Sequence, residues 1–143
     1  MNKSKGFTII ELIVVIAIIA VLAAIVLVNV TQYIAKGKNA AIKGNMSTIL
    51  TNAAVYYDGQ NPSTYVGFPA TTGYTQPAAS VTANGGTVAV PVALAGAFCA
   101  CTTMNVTTAE PTGTSYCVDS TGNKIRKVQT CAIACPAAGA CVP

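Results

Sequence analysis

The sequence predicts an α+β protein, a long N-terminal helix followed by a small β-rich region, and three observations carry that expectation. Apolar residues run unbroken from Leu12 to Val28, with Phe7, Ile9 and Ile10 just before them. A helically spaced apolar stripe then continues to Tyr57 and stops at the breaker cluster Asp58-Gly59-Gln60-Asn61-Pro62. Beyond it come short candidate strands separated by turn residues, and all six cysteines lie in this last part. At 143 residues the chain has room for one domain plus an anchor.

Taken in order, residues 1–6 are short and polar and read as a leader rather than as structure. Residues 7–35 read as a helix. Their apolar run meets the roughly 20 residues needed to cross a bilayer. The many β-branched residues would suit a strand in water, but in lipid the backbone must satisfy itself, which a helix does. Residues 36–57 continue the helix with a different face. Ile42, Met46, Ile49, Leu50, Ala53 and Tyr57 advance by helical steps, with Lys43, Asn45, Ser47, Thr48, Thr51 and Asn52 mostly opposite. The whole helix would be about 50 residues and roughly 75 Å long. Gly37 and Gly44 are the positions where it would bend most easily.

Residues 58–143 form the expected β-rich head. Residues 60–90 are rich in Thr, Gly, Ala, Pro and Tyr without clear period and read as a variable loop with one strand at most. Strands are expected at Thr87–Leu94, Phe98–Met104, Ser115–Val118 and Lys124–Gln129. The turn Asp119-Ser120-Thr121-Gly122-Asn123 joins the last two as a hairpin. The segment 131–143 reads as a loop held by disulfides. Cys99, Cys101, Cys117, Cys131, Cys135 and Cys141 are an even set in a chain with a candidate membrane anchor, which favours disulfides formed outside the cytoplasm. A Cys-only zinc site ranks below that reading, because neither the 99/101 nor the 131/135 pair shows the usual two-residue gap. Cys99 and Cys101 share one strand face, so each is expected to bond a later cysteine, and fifteen pairings of six remain open.

Charge excludes more than it suggests. From Asp58 onward the only charged side chains are Asp58, Glu110, Asp119, Lys124, Arg126 and Lys127. The net charge of +4 falls to +2 once Lys3 and Lys5 of the leader are set aside (six basic against four acidic), too little to expect nucleic acid as a general partner. There is no histidine, no carboxylate pair placed for acid–base work and no nucleotide loop, so no enzyme, cofactor or metal is expected. Glu11 stands out. A carboxylate inside a membrane-grade helix costs several kcal/mol on insertion scales and asks for a partner.

Lys5-Gly6-Phe7-Thr8-Ile9-Ile10-Glu11-Leu12 and the apolar run after it resemble the N-terminal motif of type IV pilins and the related type II secretion pseudopilins. The resemblance covers about residues 1–57 well and the remainder loosely. It implies a pilin-like fold, in which the C-terminal half of the helix packs on an antiparallel sheet. It implies cleavage between Gly6 and Phe7 by a prepilin peptidase, methylation of the new Phe7 amine, and pairing of Glu11 with the Phe7 amine of a neighbouring subunit during assembly. The implied partners are further copies of the chain or related subunits, the peptidase, the membrane and an inner-membrane assembly platform. The implied location is a single-pass inner (cytoplasmic) membrane protein with an extracytoplasmic head, then a pilus (fimbrium) or pseudopilus. A pseudopilin serving protein secretion and a monomeric membrane-anchored binding domain are the alternatives. Many pilins carry a proline near the position of Val28 and a glycine near that of Ala20, and this chain has neither.

Weaker signals have plain readings beside sharper ones. Lys43 reads as a solvated helix residue, while Lys36 and Lys38 fit either that role or headgroup contact. Asp119 reads as a turn cap before a calcium ligand. Lys124, Arg126 and Lys127 read as an edge strand blunted by charge before a DNA contact. Asn105-Val106-Thr107 fits a glycosylation acceptor but is a tripeptide common by chance.

Overall fold

The computed structural model describes residues 6–142. The chain divides into two compact units, Met1–Ile34 and Ala35–Pro143. Helix α1, Ile9–Asp58, runs through both without interruption, including at Gly37 and Gly44. It begins two residues later and ends one later than the periodicity predicts. The expected leader falls outside the described residues except for Gly6.

In the first unit the described apolar side chains of α1 are exposed. Ile9 is 78% exposed, and Leu12, Ile18 and Leu22 are each more than half exposed. Among the described residues α1 is the one helix long and apolar enough to cross a membrane.

In the second unit α1 buries a narrow stripe, Asn39, Ile42, Met46, Ile49 and Ala53, at alternating steps of three and four. Its partner is a four-stranded antiparallel meander in the order β1-β2-β3-β4: β1 Val92–Ala93, β2 Phe98–Thr103, β3 Thr114–Asp119 and β4 Lys124–Val128. In β2 and β3 the side-chain period of two separates two cores. Phe98, Ala100, Tyr116 and Val118 join the α1 stripe together with Tyr65, Phe68, Tyr74 and Val81. Cys99, Cys101 and Cys117 lie in a second cluster with Ala134, Cys135 and Cys141. Both faces of the central strands are therefore covered, and β3 is buried along its whole length. Each of the large α1 stripe residues contributes about 1.5–3 kcal/mol by leaving water.

Two expectations are corrected. The presumed loop 60–90 contains a short 3₁₀ turn, Phe68–Ala70, and a helix α2, Thr72–Ala83. Its buried residues Tyr74, Pro77 and Val81 are helically spaced. Pro77 cannot donate a backbone bond to the carbonyl of Gly73, four residues back. Asn52 of α1 donates its side-chain amide to that carbonyl at 2.7 Å. The helix thus survives an internal proline because a tertiary donor replaces the lost one. Its end is tight: a Cβ on Gly86 would meet Val81 and Thr102 side chains at 2.8 Å. The expected strand Thr87–Leu94 shrinks to Val92–Ala93, with an isolated bridge from Val88 to Thr102. Pro91 lies between those pairings and has no N–H to give a ladder. The tail also holds one helical turn, α3, Cys131–Ala134.

Candidate functional site

The N-terminal end of α1 is built by its own residues. Thr8 precedes the helix and Glu11 is its third residue, the spacing of a capping box. The Thr8 amide donates to Glu11 Oε2 at 2.9 Å and the Thr8 hydroxyl donates to the same oxygen at 2.8 Å. The Glu11 amide donates back to Thr8 Oγ1 at 3.3 Å. Such a cap contributes about 1 kcal/mol and places negative charge at the positive end of the helix dipole. Glu11 is therefore neither unpartnered nor reliant solely on another chain, as its isolation in the apolar run implied. The signal Thr8-Ile9-Ile10-Glu11 is plain in the sequence, at the head of the apolar run. Gly6 and Phe7 lie outside the helix and are exposed, Phe7 by 78%, and a Cβ on Gly6 would touch nothing within 4 Å.

The head holds a second polar centre that the sequence did not mark. Glu110, buried with 6% of its side chain accessible, accepts from Lys43 Nζ at 2.9 Å and Arg126 Nη1 at 3.2 Å. Thr107 donates its hydroxyl to the other carboxylate oxygen, and Asn39 donates its amide there at 3.4 Å. The Thr107 hydroxyl, then Lys43, hold the Glu110 carboxyl down at about 2. Asn39 also clasps the backbone of Asn105, accepting its N–H at 2.8 Å and donating to its carbonyl at 2.9 Å. This corrects the reading of Lys43 as a merely solvated residue. It also takes Arg126 out of the basic edge, where Lys124 and Lys127 remain exposed. The Asn105 side-chain nitrogen donates to Asn39 Oδ1 at 3.0 Å and to the Asn84 carbonyl at 2.8 Å, so the tripeptide asparagine is a structural residue here.

Asp119 is fully buried and its lone pairs are used within the chain. Oδ1 accepts from the Thr121 and Asn123 amides at 2.9 and 3.2 Å. Oδ2 accepts from Asn123 Nδ2 at 3.1 Å and from the Cys141 amide at 2.7 Å. Burial pushes its pKa up, but these bonds and that of the Thr121 hydroxyl outweigh it and leave the carboxyl below its ordinary value. It is a turn cap that also pins the tail, a second task the sequence did not suggest.

The cysteines form three bridges, Cys99–Cys135, Cys101–Cys131 and Cys117–Cys141. Two sheet cysteines on β2 and one on β3 are thereby tied to α3 and the tail. The bridges close over the second sheet face, where an ordinary domain would place another apolar layer.

Comparison with known proteins bears on part of the chain. Residues 1–27 match the prokaryotic N-terminal methylation motif. The type IV major alpha-pilin of Moraxella bovis is 40% identical over 63 residues, and fimbrial protein Q of the same organism is 40% identical over 63 residues. In both cases the match spans 43% of this chain and 40% of the length of the relative. No solved structure matches the chain. With its long apolar helix, four-stranded antiparallel sheet and bridged tail, the chain has an α+β fold of pilin kind, and in its N-terminal part it carries the methylation motif and is type IV pilin-like.

Proposed function

We propose that this chain is the structural subunit of a type IV pilus or pilus-like filament. It is inserted as a precursor with leader 1–6, cut between Gly6 and Phe7 by a prepilin peptidase and methylated on the Phe7 amine. It is then handed by an inner-membrane assembly platform to a growing filament. Residues 7–35 serve first as membrane anchor and then as filament core, 36–57 as the helix that carries the head, and 58–143 as the extracytoplasmic head. One observation carries the reading. The methylation motif opens a helix whose described apolar residues are exposed around its circumference through the first unit, while the only formal charge in the sequence between Phe7 and Ala35 sits at its very start.

The physical sense of that layout is assembly. In lipid, apolar helices gain little from one another, so the surface is satisfied and the subunit can wait as a monomer. Once the helix leaves the bilayer, only other helices can cover it. Glu11 supplies register, because its carboxylate gains most where a neighbour's Phe7 amine lies alongside. The Thr8 cap holds the carboxylate at the helix mouth until then. An exposed Gly6–Phe7 bond outside the helix, ahead of its first turn, fits a cleavage site, and packing gives no reason for a glycine there. A pseudopilin of a type II secretion system shares all these features. The three bridges favour the exposed pilus, since they toughen a head with few charges.

The test is Glu11→Ala at membrane levels equal to wild type. Insertion and cleavage should persist while sheared filaments are lost. Normal filament yield would show that the carboxylate is dispensable, and a chain that failed to reach the membrane would assign it to insertion.

A further inference from the structure

A groove in the head runs between α1 and α2, and no charged side chain lines it. Its cavity of about 360 Å³ lies within the range of roughly 300–1,000 Å³ usual for ligand sites. Asn45, Thr48 and Asn52 line it from α1 at helical steps of three and four, and Thr72, Gln76 and Ser80 line it from α2 at steps of four. A second hollow of about 260 Å³ adjoins it at Asn52 and Gly73 and is lined beyond them by Tyr56 and Phe68. The groove therefore passes from amides and hydroxyls at one end to an aromatic ring at the other.

Hydrogen bonds within the chain leave this lining rich in acceptors. The Asn45 amide donates to the Ala41 carbonyl at 2.9 Å and the Asn52 amide to the Gly73 carbonyl at 2.7 Å. A carbonyl only accepts, so each amide presents its nitrogen there and its oxygen is the free end. The Thr48 hydroxyl donates to the Gly44 carbonyl and the Ser80 hydroxyl to the Gln76 carbonyl, both at 3.2 Å, which spends their single protons. Among the described residues nothing donates to any of these four side-chain oxygens. Thr72 and Gln76 are exposed, and their side chains bond nothing among the described residues, so both are free to donate and to accept. Tyr56 is tied at both ends: its hydroxyl donates to the Val66 carbonyl at 2.9 Å, and its ring leans on Phe68 with centroids 5.5 Å apart.

We propose that the groove between α1 and α2 binds a neutral saccharide, its hydroxyls donating to the oxygens of Asn45, Thr48 and Asn52 and one apolar ring face packing on Tyr56. A ligand that suits the lining must bring donors without net charge. An anion brings only acceptors, and the free oxygens would stand against it unpaired. A cation finds no carboxylate in the lining, and residues 35–143 hold six basic against three acidic side chains, so the field around it is positive. A saccharide meets both conditions, and its C–H face matches an aromatic ring that is already half-buried. Side chains tied to backbone carbonyls before the ligand arrives lose little freedom on binding it. The site lies wholly in the head and stands whether or not the chain polymerises.

The experiment uses the full, bridged chain, labelled with nitrogen-15 and held in a detergent that contains no sugar. It is titrated with neutral trisaccharides of glucose, galactose, mannose and N-acetylglucosamine, with trigalacturonate as the anionic control and spermine as the cationic one. At least one neutral trisaccharide should shift the side-chain amide signals of Asn45, Asn52 and Gln76 in a saturable way, and the controls should not. Gln76→Ala and Asn45→Ala, neither of which breaks a bond between elements, should each weaken that binding roughly three- to tenfold. Lys124→Ala, outside the groove, should leave it unchanged. Failure of every neutral trisaccharide to give a saturable shift, equal shifts from trigalacturonate or spermine, or full affinity in the Gln76→Ala/Asn45→Ala double variant would each overturn the proposal. So would shifts that follow protein concentration rather than saccharide, which would place a second copy of the chain in the groove.

Discussion

Replacing Glu110 by Gln removes one charge and keeps the shape of the side chain. Glu110 lies at the meeting of α1, the 107–110 turn and β4, with two cations, a hydroxyl and an amide directed at it. Its carboxyl is held at about 2 against an ordinary 4.5. A shift of that size corresponds to about 3 kcal/mol of preference for the charged form in the folded state. Glu110→Gln should therefore destabilise the head by about 3 kcal/mol at neutral pH, which for a domain of this size lowers Tm by roughly 10–15 °C. The pH dependence has a definite sign. Because the folded pKa is depressed, the stabilisation is complete above about 4.5 and disappears as pH falls towards about 2. Thermal unfolding of the bridged mature chain by near-ultraviolet circular dichroism, from pH 2 to 7, should show wild type and variant converging in acid. Asp119, also held below its ordinary value by its hydrogen bonds, is common to both chains and cancels in the difference. A variant within half a kcal/mol of wild type at pH 7, or a difference that did not shrink in acid, would refute the assignment of Glu110 as an ionic hub.

Further outcomes follow from the same contacts. Peptide mapping without reduction should recover Cys99 with Cys135, Cys101 with Cys131 and Cys117 with Cys141, and no free thiol after denaturation. Removing the Cys117–Cys141 pair should cost about 2–5 kcal/mol in urea unfolding. Asn52→Ala strands the Gly73 carbonyl beside Pro77 and should cost about 1–3 kcal/mol, with hydrogen exchange in α2 accelerated before that in the sheet. Thr8→Val removes the cap but keeps the Glu11 charge, so filaments should still be sheared from cells, in contrast to Glu11→Ala.

What the sequence made legible was set by period and position. The α1 core stripe from Ile42 to Ala53, strands β2 to β4 and the Asp119 turn follow from spacings of 3.6 and 2 and from turn residues. Helix α2 was not legible, since Gly73 and Pro77 punctuate it and its repair comes from Asn52, twenty-one residues earlier. Its buried spacing of Tyr74, Pro77 and Val81 was nonetheless there to be read. Asn39 occupies a core position three residues before Ile42, a place where a polar residue signals a buried partner. That the partners are Asn105 and Glu110, sixty-six and seventy-one residues away, no local pattern reveals. The cysteine pairing was hidden for the same reason. It depends on a tail that folds back over β2 and β3, and the tail carries almost no periodic signal.

The filament account is tested most directly by one intact-mass measurement on the chain recovered from filaments sheared off the cell surface. It predicts residues 7–143 beginning at Phe7, heavier by one methyl group and lighter by the six hydrogens of three bridges. Filaments that lacked the chain, or a recovered chain that still carried Met1–Gly6, would contradict it.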